Sequence, residues 1–304
     1  MANRGCFGIN FGGNGKKQQE TPDNHTIDTS VIDNKGDTPK TTSKDIIKAY
    51  WVWSEDSLKM DVNLIKQQGI TDLFVISDRF GGNNYYETFL PKVVAKFNGN
   101  PRIHAWIPCF KDKDKKWVNP ADEGFQNTLL DIIGKISAIA GLNGIHLDYV
   151  RYTGDKKNNQ AASQQTPHGK ITITNFVEKV ENKVKSTNPG LKLSAALMPE
   201  GQSNADSYGQ DYQELAKYLD WLCPMIYKGN YKGADTVWIG KKTSYINDKA
   251  QNKVIAGLQG YRSDDDPTKI PESELKADIQ IALDNGAIGF ALFRYGLADY
   301  SGGV

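Results

Sequence analysis

Hydrophobic and polar positions divide the chain near residue 44. Residues 1–43 are dominated by Gly, Asn, Lys, Asp and Thr, and only Cys6–Phe11 and Ile27–Ile32 carry apolar patches. Such a segment buries too little apolar surface to offset the entropy of ordering it. It reads as a flexible arm, free to dock on a protein partner or a neighbouring subunit. Residues 44–304 read as one domain. Short apolar runs at 48–53, 71–77, 102–110, in GIHLDYVRYTG (144–154), and at 191–198, 221–227, 253–261 and 287–293 alternate with stretches of helical period. Those helical stretches lie near 57–68, 86–97, 123–140, 172–186, 209–218, 234–250 and 271–285.

Eight strands alternating with helices predict an α/β fold of the (β/α)8 TIM-barrel type, because continuous apolar runs suit parallel strands covered by helices. A doubly wound open sheet would usually show a glycine-rich turn after its first strand, where this chain has WSEDS. Pro271 opens the seventh helix and Gly286 follows it. The eighth helix is short or missing, and the N-terminal arm is the expected cover for that gap.

Charge and composition remove several classes. The chain has 304 residues with 37 basic and 36 acidic side chains, a net charge of +1. No broad field favours nucleic acid or an anionic membrane, and no apolar run is long enough to span a bilayer. Cys6, Cys109 and Cys223 are too few and scattered for a disulfide framework. His25, His104, His146 and His168 show no HxxxH or HExxH spacing, so no metal or organic cofactor is implied. The N-terminus lacks the apolar core of a signal peptide. A protein cytoplasmic as made, released by lysis or carried on a particle, is the expectation.

A barrel gathers function at the carboxyl ends of its strands. Strand parity brings to that end Trp53, with Glu55 beyond it; Asp78 and Arg79; His104 and Trp106; His146, Asp148 and Arg151; Glu200; Tyr227; Gln259; and Arg294. Gly257, Gly289, Ala196 and Ala291 share the inward parity and leave room for Trp106 and Met225. Asp148 and Glu200 end adjacent strands, about 4.8 Å apart, and glycoside hydrolysis needs two carboxyl groups at such a separation. Arg151, folded back, is expected to hold Asp148 ionised as nucleophile or charge stabiliser. Glu200, after Met198–Pro199, is the expected general acid/base, in a retaining geometry. Trp53, Trp106 and Tyr227 are candidate stacking faces for sugar rings. Asp78, Arg79, His104, His146, Arg151, Gln259 and Arg294 are candidate contacts to hydroxyl or anionic groups.

GIHLDYVRY, HAWIPCF, LDWLCPMIY with Tyr231, and VIAGLQGY resemble a family of barrel-fold glycosyl hydrolases whose fourth strand reads roughly GIHLDYVRYP. The resemblance spans strands 3 to 8 and implies a carbohydrate-active enzyme in which Asp148 has a carboxylate role. It also implies a distant likeness to alpha-amylase-like enzymes, with a nucleophilic aspartate at the end of strand 4 and an acidic glutamate at the end of strand 5. The third acidic position of those enzymes, after strand 7, has no clean counterpart: Gln259 stands near it and Asp264 farther out. The chitinase-like DxxDxDxE pattern is absent. Thr153 and Lys228 stand where the resembling family has prolines, so substrate assignments do not carry over.

The reading is therefore a glycoside hydrolase acting on a polysaccharide or cell-wall glycan. Its competitors are a glycan-binding barrel without catalysis and a cysteine peptidase using Cys109 with His104 or His146. Plainer readings stand beside the chemical ones. Asp78–Arg79 reads as a local ion pair, His104 as a core histidine, KDKDKK (111–116) and SDDDP (263–267) as solvated loops, and NPADEGF (119–125) as a helix start.

Overall fold

The computed structural model describes residues 46–165 and 168–304. Eight parallel strands form the barrel: β1 (Ile47–Val52), β2 (Asp72–Ile76), β3 (Arg102–Pro108), β4 (Gly144–Asp148), β5 (Lys192–Leu197), β6 (Trp221–Pro224), β7 (Ile255–Gln259) and β10 (Gly289–Phe293). The strands β8 (Tyr261–Ser263) and β9 (Asp266–Lys269) make a small antiparallel hairpin beyond β7. The ladder runs β6-β5-β4-β3-β2-β1-β10-β7. It nearly closes on itself through two isolated bridges, Leu222 to Val254 and Met225 to Gly257.

Between the strands lie α1 (Ser54–Ser57), α2 (Val62–Gln67), α3 (Tyr86–Phe97), α4 (Glu123–Ser137), α5 (Gly169–Thr187), α6 (Asn204–Tyr208), α7 (Tyr212–Leu215), α8 (Thr236–Lys249) and α9 (Glu272–Asp284). Asp61, Asp122 and Asp235 cap α2, α4 and α8 by accepting from first-turn amides. NPADEGF is thus a helix start, as its sequence suggests. The helices expected at 57–68 and 209–218 are shorter, α2 and α7, and are preceded by the short α1 and α6. None of the described helices is long and apolar enough to cross a membrane.

Alternation along the strands separates two cores. Val75, Ile107, Leu147, Ala195 and Leu292 face the helices. Trp51, Phe74, Trp106, Ala196, Met225 and Ala291 fill the barrel. The expected parity holds, and two glycines show why it is needed. A Cβ on Gly257 would sit 3.0 Å from Trp51 Cη2 and 2.7 Å from Pro224 O. One on Gly144 would meet His104 Nδ1 at 2.1 Å.

No helix follows β10. The segment from Tyr295 to Val304 runs down the outside of β1 instead. The Tyr295 amide donates to Trp51 O near the top of that strand, and Lys48 Nζ donates to Val304 O near its start. Tyr300, buried, packs edge-on against Phe290 with centroids 5.6 Å apart. Gln68 Nε2 donates to Tyr300 O at 2.5 Å. Extended chain rises about 3.3 Å per residue against 1.5 Å in a helix, so a short tail spans what a longer helix would. The arm expected to fill this gap, residues 1–43, lies outside the described residues.

Candidate active site

Polar side chains inside the barrel stack in three tiers. At the bottom, Asp72 on β2 accepts from Arg102 Nε (2.8 Å) and Nη2 (2.7 Å) and pairs with His104 Nε2 (2.7 Å). Burial pushes the Asp72 carboxyl up, but the bonds and charges of His104 and Arg102 outweigh it and leave it below its ordinary value. In the middle, Trp51 Nε1 donates to His146 Nε2 at 2.9 Å. An indole N–H only donates, so Nε2 is the acceptor and the imidazole proton sits on Nδ1, directed at Ser194 Oγ 2.9 Å away. Burial, then the charge of His104, holds His146 well below the ordinary histidine value, hence neutral. Its ring stacks on Phe74 at 4.1 Å.

The top tier is Asp148, the last residue of β4. Trp106 Nε1 donates to Oδ2 at 3.0 Å and the Tyr149 amide donates to Oδ1 at 2.6 Å. Tyr149 has φ +50°, in the left-handed region. A bulky residue there is strained, and this turn takes the chain out of the sheet while aiming its N–H back at the carboxylate. Asp148 is 8 % exposed. Burial raises its pKa above the ordinary value, against the opposing pull of the Tyr149 amide, Trp106, Arg151 and Lys111. The expectation of an Asp148 held ionised by Arg151 is corrected here: desolvation is the larger effect, and this carboxyl keeps its proton to higher pH than a free one.

Above this tier opens a cavity of about 950 Å³. Trp106, Met225, Tyr227 and Phe293 line it deep in the barrel, with Asp148 and Tyr149 on the β4 side. Trp53 stacks on Trp106 at 5.3 Å, and Arg294 lies over Trp53. Phe80, 48 % exposed, stands at the rim over the Arg79 guanidinium. Beyond the rim, the carboxyl ends of β4 and β5 are tied together by the buried Gln210, which donates to Val150 O and accepts from the Met198 amide.

Residues 16–261 match the model described as "Putative glycosyl hydrolase domain". The chain belongs to that family. This glycosyl hydrolase family chain resembles the glycoside hydrolase domain of PgaB (BpsB) from Bordetella bronchiseptica. That likeness has a TM-score of 0.64 at 12% identity over 83% of this chain and 95% of that one. A class V chitinase from Pseudomonas fluorescens Pf-5 gives 0.62 at 14% identity, over 84% and 97%. The Group IV chitinase of Ostrinia furnacalis gives 0.59 at 11%, over 82% and 93%. At such identities the likeness is one of fold. No curated protein sequence matches the chain. Two residues past Asp148, where DxxDxDxE carries its glutamate, the chain has Val150, buried in the outer core.

Of the sequence-predicted residues in this glycosyl hydrolase family chain, Asp148, Trp53, Trp106, Asp78, Arg79, Tyr227 and Arg294 line the cavity. Four expected as substrate contacts, His104, His146, Arg151 and Gln259, do not line it. His104 and His146 are fully buried in the lower tiers, where no sugar reaches them. Arg79 is in the wall, but it makes no ion pair with Asp78. Its Nε donates to Pro108 O (3.1 Å) and its Nη2 to Cys109 O (2.9 Å) and Lys111 O, bracing the end of β3. Arg151 is 2 % exposed, sandwiched between Trp117 and Tyr208, with Nη1 on Tyr152 O. Tyr227 stacks on Phe293 in the floor with its hydroxyl buried and unpartnered, so the accessible ring faces are Trp53 and Phe80. Cys109 sits in the outer core with its thiol pushed up by burial, which removes the cysteine peptidase.

Glu200 does not line the cavity. It follows β5 half-buried and accepts from the Tyr231 hydroxyl at 2.9 Å. A carboxylate read as part of a solvated loop proves better held. Asp264, in the β8–β9 turn, accepts from Tyr261 Oη (2.9 Å), Asn230 Nδ2 (3.1 Å) and Gln259 Nε2 (3.4 Å). Burial raises its pKa, with Asp265 adding to the rise. The charges of Asp148 and Asp264 both act on the hydroxyls of Tyr149 and Tyr227, but Asp264, like Glu200, does not line the cavity. Its signal in the sequence was Tyr261, three residues earlier, able to reach back to it. Among the described residues no three His, Cys, Asp or Glu side chains converge as metal ligands.

Proposed function

We propose that the chain cleaves glycosidic bonds of a polysaccharide or cell-wall glycan, with the Asp148 carboxyl giving a proton to the leaving oxygen. The observation that carries this is Asp148 itself: a carboxyl in an aromatic-walled cavity, fixed by two N–H donors, with its pKa raised by burial. That is the environment a general acid requires. In the reaction the bond from the anomeric carbon to the leaving oxygen breaks, that oxygen takes the Asp148 proton, and water supplies the hydroxyl to the anomeric carbon. A second carboxylate assists the water or attacks directly. Glu200, following the neighbouring strand, and Asp264, held by Tyr261 and Asn230 beyond β7, are the two candidates for it. Trp53 and Phe80 supply stacking faces for rings.

Charge-neutralising variants test the reading. Asp148→Asn is expected to lower kcat by about 10²–10⁴-fold on a glycan that it still binds. Glu200→Gln and Asp264→Asn identify the partner by which one shares that loss. Turnover unchanged in Asp148→Asn discards the site. Binding without turnover in the unmodified protein supports the glycan-binding module instead, a reading favoured by the place of Glu200 outside the cavity.

A further inference from the structure

The lysine-rich segment after β3 is a built wall, where its composition suggests a solvated loop. Lys111 and Trp117 form an antiparallel bridge that closes it. Within it, Asp112 Oδ1 accepts from the amides of Asp114 (2.9 Å) and Lys116 (2.8 Å), and the Asp112 amide donates to Lys116 O. Arg79 holds Lys111 O from below. Oδ1 of Asp112 is thus committed to the loop's own backbone. Lys111, half-buried, points its Nζ between two rings, 4.5 Å from the Tyr149 centroid and 4.9 Å from that of Trp117. Neither Lys111 nor Lys113 makes an ion pair with any described residue, and both line the cavity that holds Asp148. Lys111 makes no hydrogen bond or ion pair with Asp148, whose oxygens accept from the Trp106 and Tyr149 N–H groups. An ammonium has three donors. Cation–π contact with two rings fixes its position and leaves those donors open to the cavity.

We propose that Lys111, with Lys113 at the rim, binds an anionic group on the sugar beside the scissile bond, so that the substrate is an acidic glycan bearing uronic carboxylates or sulfate esters. This rests on the glycan-cleaving reading for the word substrate, but the subsite itself is a binding claim and is tested without turnover. The full chain and its Lys111→Gln, Lys111→Arg and Lys113→Gln variants are applied to an array of neutral, uronic-acid-containing and sulfated oligosaccharides. Acidic members are expected to be retained over neutral ones. Which of the two acidic sets is held distinguishes carboxylate from sulfate. Lys111→Gln weakens that retention by about 10-fold, the loss of one charge-assisted contact. Lys113→Gln weakens it less, and Lys111→Arg largely restores it. Circular dichroism of each variant, unchanged from the parent, excludes unfolding as the cause. Preference for neutral glycans, retention of none, or a Lys111→Gln profile identical to the parent overturns the proposal. If the array result holds while Asp148→Asn leaves turnover intact, the subsite stands and the catalytic assignment falls.

Discussion

At the scale of single residues, the proposed chemistry rests on how Asp148 is solvated. Trp106 Nε1 stabilises its ionised form by donating to Oδ2. Trp106→Phe removes that donor and leaves the ionised form less favourable, so the pKa rises further. A hydrogen bond to a charged group contributes about 1.5–3 kcal/mol. The alkaline limb of the kcat/KM profile, where the proposed general acid loses its proton, is expected to move to higher pH. The same raised pKa bears on stability. Its stabilising contribution is fully present below the ordinary carboxyl value of 3.8 and is lost as pH rises through the higher folded value. By pH 7, above the ordinary carboxyl value, that contribution is diminished. Asp148→Asn is expected to raise the thermal midpoint at pH 7 while lowering turnover, and a midpoint that falls contradicts this account of the site.

At the scale of elements, the strand pattern of the sequence located β1 to β7 and β10 and the inward parity, and α3 was placed at its observed bounds. That parity is why His146 and Asp148 both point into the barrel. The depth of each inward residue was not legible, because it depends on the stagger between strands, and a strand's own sequence does not encode its neighbour's register. So His104 and His146, two tiers and one tier below Asp148, read in the sequence as substrate contacts. Arg79 was likewise illegible: its partners are carbonyls at the end of β3, about 30 residues away, and carbonyls leave no mark in a sequence. Two consequences can be measured. Gly144→Ala forces a methyl group into the His104 ring and Lys192 O, and is expected to cost about 1–3 kcal/mol in urea unfolding. Asp72 has its pKa lowered by His104 and Arg102. Its contribution is present above the ordinary value of 3.8 and lost as pH falls through the folded one. Asp72→Asn is expected to destabilise the fold by about 3–5 kcal/mol at neutral pH and by less in acid.

At the scale of the whole molecule, the barrel is completed by its tail. Tyr300 fills the groove over Phe290 with its ring buried. Tyr300→Ala is expected to cost about 3–5 kcal/mol, whereas Tyr300→Phe, which keeps the ring, is expected to cost far less. An equal loss in both variants shows that the hydroxyl, rather than the ring, holds the tail. No helical period follows the last strand in the sequence, and the described residues after β10 form no helix. The tail's course was not legible, because a segment with three glycines and one buried tyrosine has no periodicity to read.

The tail also fixes an orientation. Val304 ends beside Lys48, at the start of β1, so anything joined there projects from the underside of the molecule. Coupled to a sensor surface through that end, the protein would present its opening to the flowing solution, unobstructed by the support.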